Sequence, residues 1–191
     1  MTALTFSYFQ LLLLHSYSGQ NVATELAIQL PDSVSDLVTS TAFECYTVSK
    51  PDNNLRSRLK SLTTADLFPS GVTDSQSASC CLSGLWLLHN FLDPSHEISQ
   101  DIHSPEGSYW HGIMHRLEGD FWNSKYWYRK VGDHPVFQTI ASQCQGGWNP
   151  DDYVDQCEAA SGAGDSAKSR VQMIAVIEWK ALFEFCYQNA I

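Results

Sequence analysis

The chain has 191 residues, of which 43% are hydrophobic and 17% charged, with a formal charge of -10. That balance builds a buried core and excludes a disordered chain. Eleven bases against twenty-one acids are too few to coat phosphates or an anionic lipid surface, so neither nucleic acid nor membrane is an expected partner.

At this length one domain is the expectation. Residues 3 to 14 form an uncharged apolar run, read as a core-packing helix within 1–18. A secretory signal is the alternative, disfavoured because no Lys or Arg precedes the run, which is also too short to span a bilayer. Residues 20 to 75 read as loop-rich. Within them Leu55, Leu59 and Leu62 mark a short amphipathic helix over 54–67, closed by Pro69 and Gly71.

Residues 76 to 191 read as the helical core. A first helix covers Ala78 to Asn90. Asp93 and Pro94 have the chemistry of a cap and a first helical residue, predicting a second helix to about His103. Ser104-Pro105 repeats the pattern for a third, to Glu118. Asp120 starts a fourth, stopped by Gly132, and a fifth covers 135–145. Asn149-Pro150 opens a short sixth, and Ala167 to Gln188 forms a long apolar last helix. No segment alternates with period two and no Asn-Gly or Asp-Gly hairpin turn occurs. The expected fold is all-α: a single bundle of about seven or eight helices with two central helical hairpins.

Six cysteines include no C-x-x-C pair, so they read as small buried hydrophobes. With no N-x-S/T acceptor either, a cytoplasmic location is expected, secretion being the alternative if the leading run is a signal.

In residues 105 to 138, Gly112, Gly119-Asp120-Phe121, Ser124, Tyr128 and Val131 fall near the small and aromatic positions of one tetratricopeptide-type helical hairpin. The segment resembles that repeat, with His115 at a usual aromatic place and Pro135 one residue early. The resemblance implies paired helices and, more weakly, a peptide-binding groove; a solenoid needs at least three copies. The longer block from Gly107 to Arg116 and on through His134 to Phe137 also resembles a group of small uncharacterised proteins, which lends no residue a role.

Chemistry is concentrated in imidazoles. Six of the seven histidines lie between 89 and 134. His111 and His115 are i, i+4 on one helix, the spacing that lets two ring nitrogens converge on a divalent metal. Glu118 continues their stripe, while Trp110, Ile113, Met114 and Leu117 form the apolar one. His96, Gln100 and His103 make a second row on the preceding helix, facing water if Ile98 and Ile102 face the core. His89 is a further possible ligand, and Glu97 and Glu106 are carboxylates within reach of such a site. Glu178 sits in the apolar stripe of the last helix, where a carboxylate must be neutral, paired or metal-bound; Arg116, Lys125 and Arg129 are its candidate ion-pair partners.

The expected function is a small all-α enzyme, of hydrolase or lyase type, acting on a small molecule. His111, His115 and Glu178 are its catalytic candidates. His96, His111, His115 and Glu118 are the ligands of a possible divalent transition metal. Lys125, Arg129, Trp110 and Tyr126 are the substrate-binding candidates, two bases for an acidic group and two rings for an apolar one. The alternative is a non-catalytic, tetratricopeptide-like interaction module. Phosphate-loop, dinucleotide, nucleophile-elbow and H-E-x-x-H signatures are absent from the sequence.

Overall fold

The computed structural model describes residues 26–39, 49–144 and 146–191; the expected N-terminal helix and Cys45 lie outside them. Among the described residues every regular element is a helix, ten in all: α1 Asp32–Thr39, α2 Asn53–Ser61, α3 Thr64–Leu67, α4 Ser75–Leu88, α5 Leu92–Ser99, α6 Pro105–Glu118, α7 Phe121–Val131, α8 Pro135–Gln143, α9 Pro150–Ser161 and α10 Asp165–Ala190. The count exceeds seven or eight partly because the segment 54–67 divides into α2 and α3, the second opened by a Thr63–Asp66 capping box. None of these helices is long and apolar enough to cross a membrane.

Most helix starts follow from local chemistry. The side chain of Ser104 accepts from the Gly107 N–H at 3.2 Å with Pro105 next in line, and that of Asn149 accepts from Asp152 at 2.9 Å ahead of Pro150. Asp120 accepts from Asn123 at 3.1 Å. Asp74, not Ala78, sets the start of α4 by accepting from Gln76 at 2.9 Å. His134 caps α8 through Nδ1, which accepts from Val136 N–H at 3.3 Å. Gly119 ends α6 at φ +88°, a backbone state that costs glycine nothing.

α5 departs from its expected frame. It starts at Leu92, one residue before Asp93, and ends at Ser99 rather than near His103. Its N-cap is Phe91, which is buried and packs edge-on against Trp86 at 5.4 Å between centroids. Tertiary anchoring of that ring, rather than a side-chain cap, fixes where the helix begins.

α4 packs on α5, α6 and α10, α6 lies between α5 and α7, and α10 spans α4, α8 and α9. Small residues hold the crossings close. Ser83 Oγ is 2.7 Å from Ser95 Oγ between α4 and α5, and Ser124 Oγ donates to the Gly112 carbonyl at 2.8 Å between α6 and α7. At Gly84 an added Cβ would stand 2.8 Å from the Trp110 ring, and its carbonyl accepts from Trp179 Nε1 at 2.9 Å. Glycine is what lets α4, α6 and α10 meet there.

α6 is buried on every side from Gly107 to Leu117. Helices enclosed in this way are normally apolar throughout, yet this one carries His111, His115 and Arg116. Those three are among the buried polar residues of the molecule, with Glu178, His89 and His134. Cys80, Cys81, Cys157 and Cys186 are buried free thiols and Cys144 is half-buried, consistent with small core hydrophobes.

Candidate functional site

α6 and α5 bring three imidazoles together. The His111 and His115 rings, one helical turn apart, have centroids 4.8 Å apart, and His96 of α5 meets them at 4.5 and 5.7 Å. One ligand nitrogen from each lies within 4.8 Å of the other two. His111 is 3% and His115 7% exposed, and His96 is half-buried. Nitrogens sharing one tetrahedral zinc lie about 3.3 Å apart at Zn–N near 2.0–2.1 Å, so modest side-chain rotation would close the set on an ion.

The environment of each ring differs. His111 stacks on Trp127 of α7 at 3.9 Å with 23° between planes, and its Nδ1 is buried without a hydrogen-bond partner. Burial first, then the charges His115, His96 and Lys130 would carry, push its pKa down to about 3, so the ring is neutral at ordinary pH. A buried ring nitrogen with nothing to bond has lost its hydration uncompensated. His115 is better served. Its Nδ1 lies 2.6 Å from Glu118 Oε1; a carboxylate oxygen accepts, so Nδ1 carries the proton and donates. Nε2 is then the basic nitrogen, and accepts from Asn123 Nδ2 at 3.0 Å.

Of the four expected ligands, His96, His111 and His115 come together, and Glu118 does not join them. His96 does not face water; the packing of α5 on α6 turns it inward, while Gln100 and His103 are exposed. Glu118 sits on the far nitrogen of His115 instead of joining the three-ring group. That is the arrangement by which carboxylates orient metal-binding histidines and raise their basicity. Glu118 also forms a second acidic group with His115 and Asp120. His89 is buried at the end of α4 and hydrogen-bonds the Leu37 backbone of α1, with burial lowering its pKa.

Glu178 lies elsewhere. Fully buried, it pairs with Arg116 Nη2 at 2.5 Å and accepts from the Tyr128 hydroxyl at 2.7 Å, while Arg116 Nη1 donates to the same hydroxyl at 2.8 Å. Arg116 also lies over the Tyr153 ring at 4.5 Å. Both carboxylate oxygens are engaged and no solvent reaches them, so Glu178 is the anion of a closed ion pair, not an acid beside the histidines. Arg116, the one Lys or Arg within α6, is its partner.

The four substrate-binding candidates do not converge. Trp110 is fully buried against Trp179. Lys125 pairs with Asp155 at 2.5 Å at the surface, Arg129 is exposed, and Tyr126 runs parallel to the exposed Trp122. What sequence reasoning missed is the other wall of the cluster: Asn123 and Trp127, themselves i, i+4 on α7, opposite the His111 and His115 row. Their spacing was visible, but the rotation of α7 against α6 was not. A further carboxylate–imidazole pair, Glu106 with His134 at 3.1 Å, ties the first turn of α6 to the start of α8.

Away from the cluster, a cleft of about 660 Å³ is lined by Leu30, Phe68, Pro69, Val72 and Tyr187 among others, and carries no charged side chain. No protein-family model, curated protein or solved structure matches the chain.

Proposed function

We propose that this chain is a small-molecule enzyme, of hydrolase or lyase type, whose reacting centre is a divalent transition-metal ion on His96, His111 and His115. The observation that carries the reading is three imidazoles from two helices with ligand nitrogens within 4.8 Å of one another and no hydrogen bond joining one ring to the next. Three imidazoles suit a zinc-like ion, which keeps a fourth position for water or substrate and makes bound water acidic near neutral pH. The chain's own residues supply the setting. Glu118 fixes the His115 tautomer so that Nε2 carries the lone pair, which an ion would take in place of the Asn123 amide. Trp127 walls His111 from solvent, and the low dielectric strengthens every charge interaction inside. Without an ion, the same His115–Glu118 pair is a general base with its orienting carboxylate.

The test is metal analysis of protein made without a histidine tag, followed by titration with Zn2+ and Co2+. We expect about one equivalent bound, lost in His111→Ala and His115→Ala. Less than about a tenth of an equivalent, with none acquired on titration, removes the metal reading. If each alanine variant instead loses roughly 2–5 kcal/mol of stability, as a core truncation does, the rings are structural.

A second reading, a tetratricopeptide-like interaction module, is favoured by one observation. Trp122 is 75% exposed and parallel to Tyr126 within 7° at 6.3 Å, an aromatic surface suited to a peptide. A peptide whose binding is lost in Trp122→Ala, in a protein that takes up no metal, would favour it.

A further inference from the structure

Independently of the metal-centre reading, we propose that the uncharged cleft beside the end of α10 is the docking site of this chain's own leading segment, the apolar run over residues 3 to 14. Phe68 and Tyr187, with ring centroids 4.7 Å apart, form the buried part of the cleft together with Leu30. Val72 and Ile191 line it too, and are 37% and 62% exposed. Among the described residues the other exposed large apolar side chains are Trp122 and Tyr126 on α7. Exposed apolar side chains gathered at one opening mark a surface that something covers.

Composition and tethering name the occupant. No Asp, Glu, Lys or Arg occurs before Glu25, and no charged side chain lines the cleft, so docking strips no ion of its water. The described chain begins at Leu26, and Gln29, Leu30 and Pro31 are themselves part of the cleft wall. α10 anchors the chain at that point. Glu184 Oε1 accepts from the Ala27 N–H at 2.5 Å, and the Tyr187 hydroxyl donates to the Leu67 carbonyl at 3.2 Å with the Gln29 carbonyl at 3.5 Å. Leu14 precedes Leu26 by twelve positions, a reach of at most about 40 Å, so the run stays within range of the cleft. A tether of that length holds it at a local concentration on the order of mM, more than a free partner protein attains. Leucine and phenylalanine side chains of the run then leave water together with the rings they cover.

The test places a photo-crosslinking side chain in the cleft of the full chain, as Val72→p-benzoylphenylalanine, and maps the linked peptides by mass spectrometry. We expect a link within one chain to residues 3 to 14. Leu11→Asp/Leu12→Asp in the same protein should cut its yield about tenfold or more, because one buried leucine shifts the docked-to-free ratio by at least that factor. Ser18→Asp, outside the run, should leave the yield unchanged. Circular dichroism checks that each variant is folded, and Ile191→p-benzoylphenylalanine takes the place of the first probe if that one is not. The proposal is overturned if no link falls within residues 3 to 14, or if Leu11→Asp/Leu12→Asp links as well as the parent. A link joining two chains overturns it as well, and assigns the cleft to a second copy.

Discussion

Replacing Glu178 with glutamine removes one charge from a site where neither partner touches water. Arg116 is 1% and Glu178 0% exposed, so the guanidinium keeps its full desolvation penalty and loses its counter-ion. The Tyr128 hydroxyl at 2.7 Å also loses its charged acceptor. Breaking a buried pair from one side costs about 3–5 kcal/mol. For a chain of this length each kcal/mol moves Tm by roughly 2–4 °C, so Glu178→Gln should melt about 6–20 °C lower. Removing both charges with Arg116→Met/Glu178→Leu should recover much of that loss, because well-packed apolar residues replace such pairs at little net cost. Thermal and urea unfolding followed by circular dichroism measure both variants, and metal uptake is measured on the folded protein. The reasoning is refuted if Glu178→Gln stays within about 1 kcal/mol of the parent, or if the double variant is no more stable than the single. A stable Glu178→Gln that loses only activity would return the residue to catalysis.

Glu118→Gln should lower metal affinity about 10–100-fold without changing stoichiometry, because it weakens the acceptor that sets the His115 tautomer; calorimetric titration reads it. Gly84→Ala should cost about 1–3 kcal/mol in urea unfolding, its methyl meeting the Trp110 ring at 2.8 Å. His134, first among several partners, holds the Glu106 carboxyl down from 4.5 to about 2. A lowered folded-state value stabilises above the unfolded one, so this contribution is complete above pH 4.5 and fades as the pH falls towards 2. Glu106→Gln should therefore flatten the acid limb of the stability–pH curve by roughly 1–3 kcal/mol.

The helical class and most helix starts were legible because they rest on residues within one turn of each other: Ser104 with Pro105, Asn149 with Pro150, Asp120 before Phe121. α5 was misframed because its beginning is decided by Phe91 against Trp86, a contact that no local cap rule contains. The pairing of His111 with His115 was likewise local. The inward turn of His96 was not, since the same row of residues faces water or core depending on how α5 rotates on α6. Trp110 illustrates the opposite failure. An aromatic residue next to a histidine looks like a site wall, but adjacent helical positions point about 100° apart, and this one points at Gly84 and Trp179. Glu178 was recognised as anomalous from its apolar neighbours, while the choice among Arg116, Lys125 and Arg129 as its partner needed the three-dimensional packing.

The reach of α10 bears on how the molecule is made. Trp179 must find the Gly84 carbonyl across 95 residues of sequence, and Glu178 must find Arg116 across 62. Until Glu178 and Trp179 have been made, the Gly84 carbonyl and the Arg116 guanidinium lack these partners. Contacts closed over such separations form only after the intervening chain has been ordered, which slows folding relative to contacts within one hairpin.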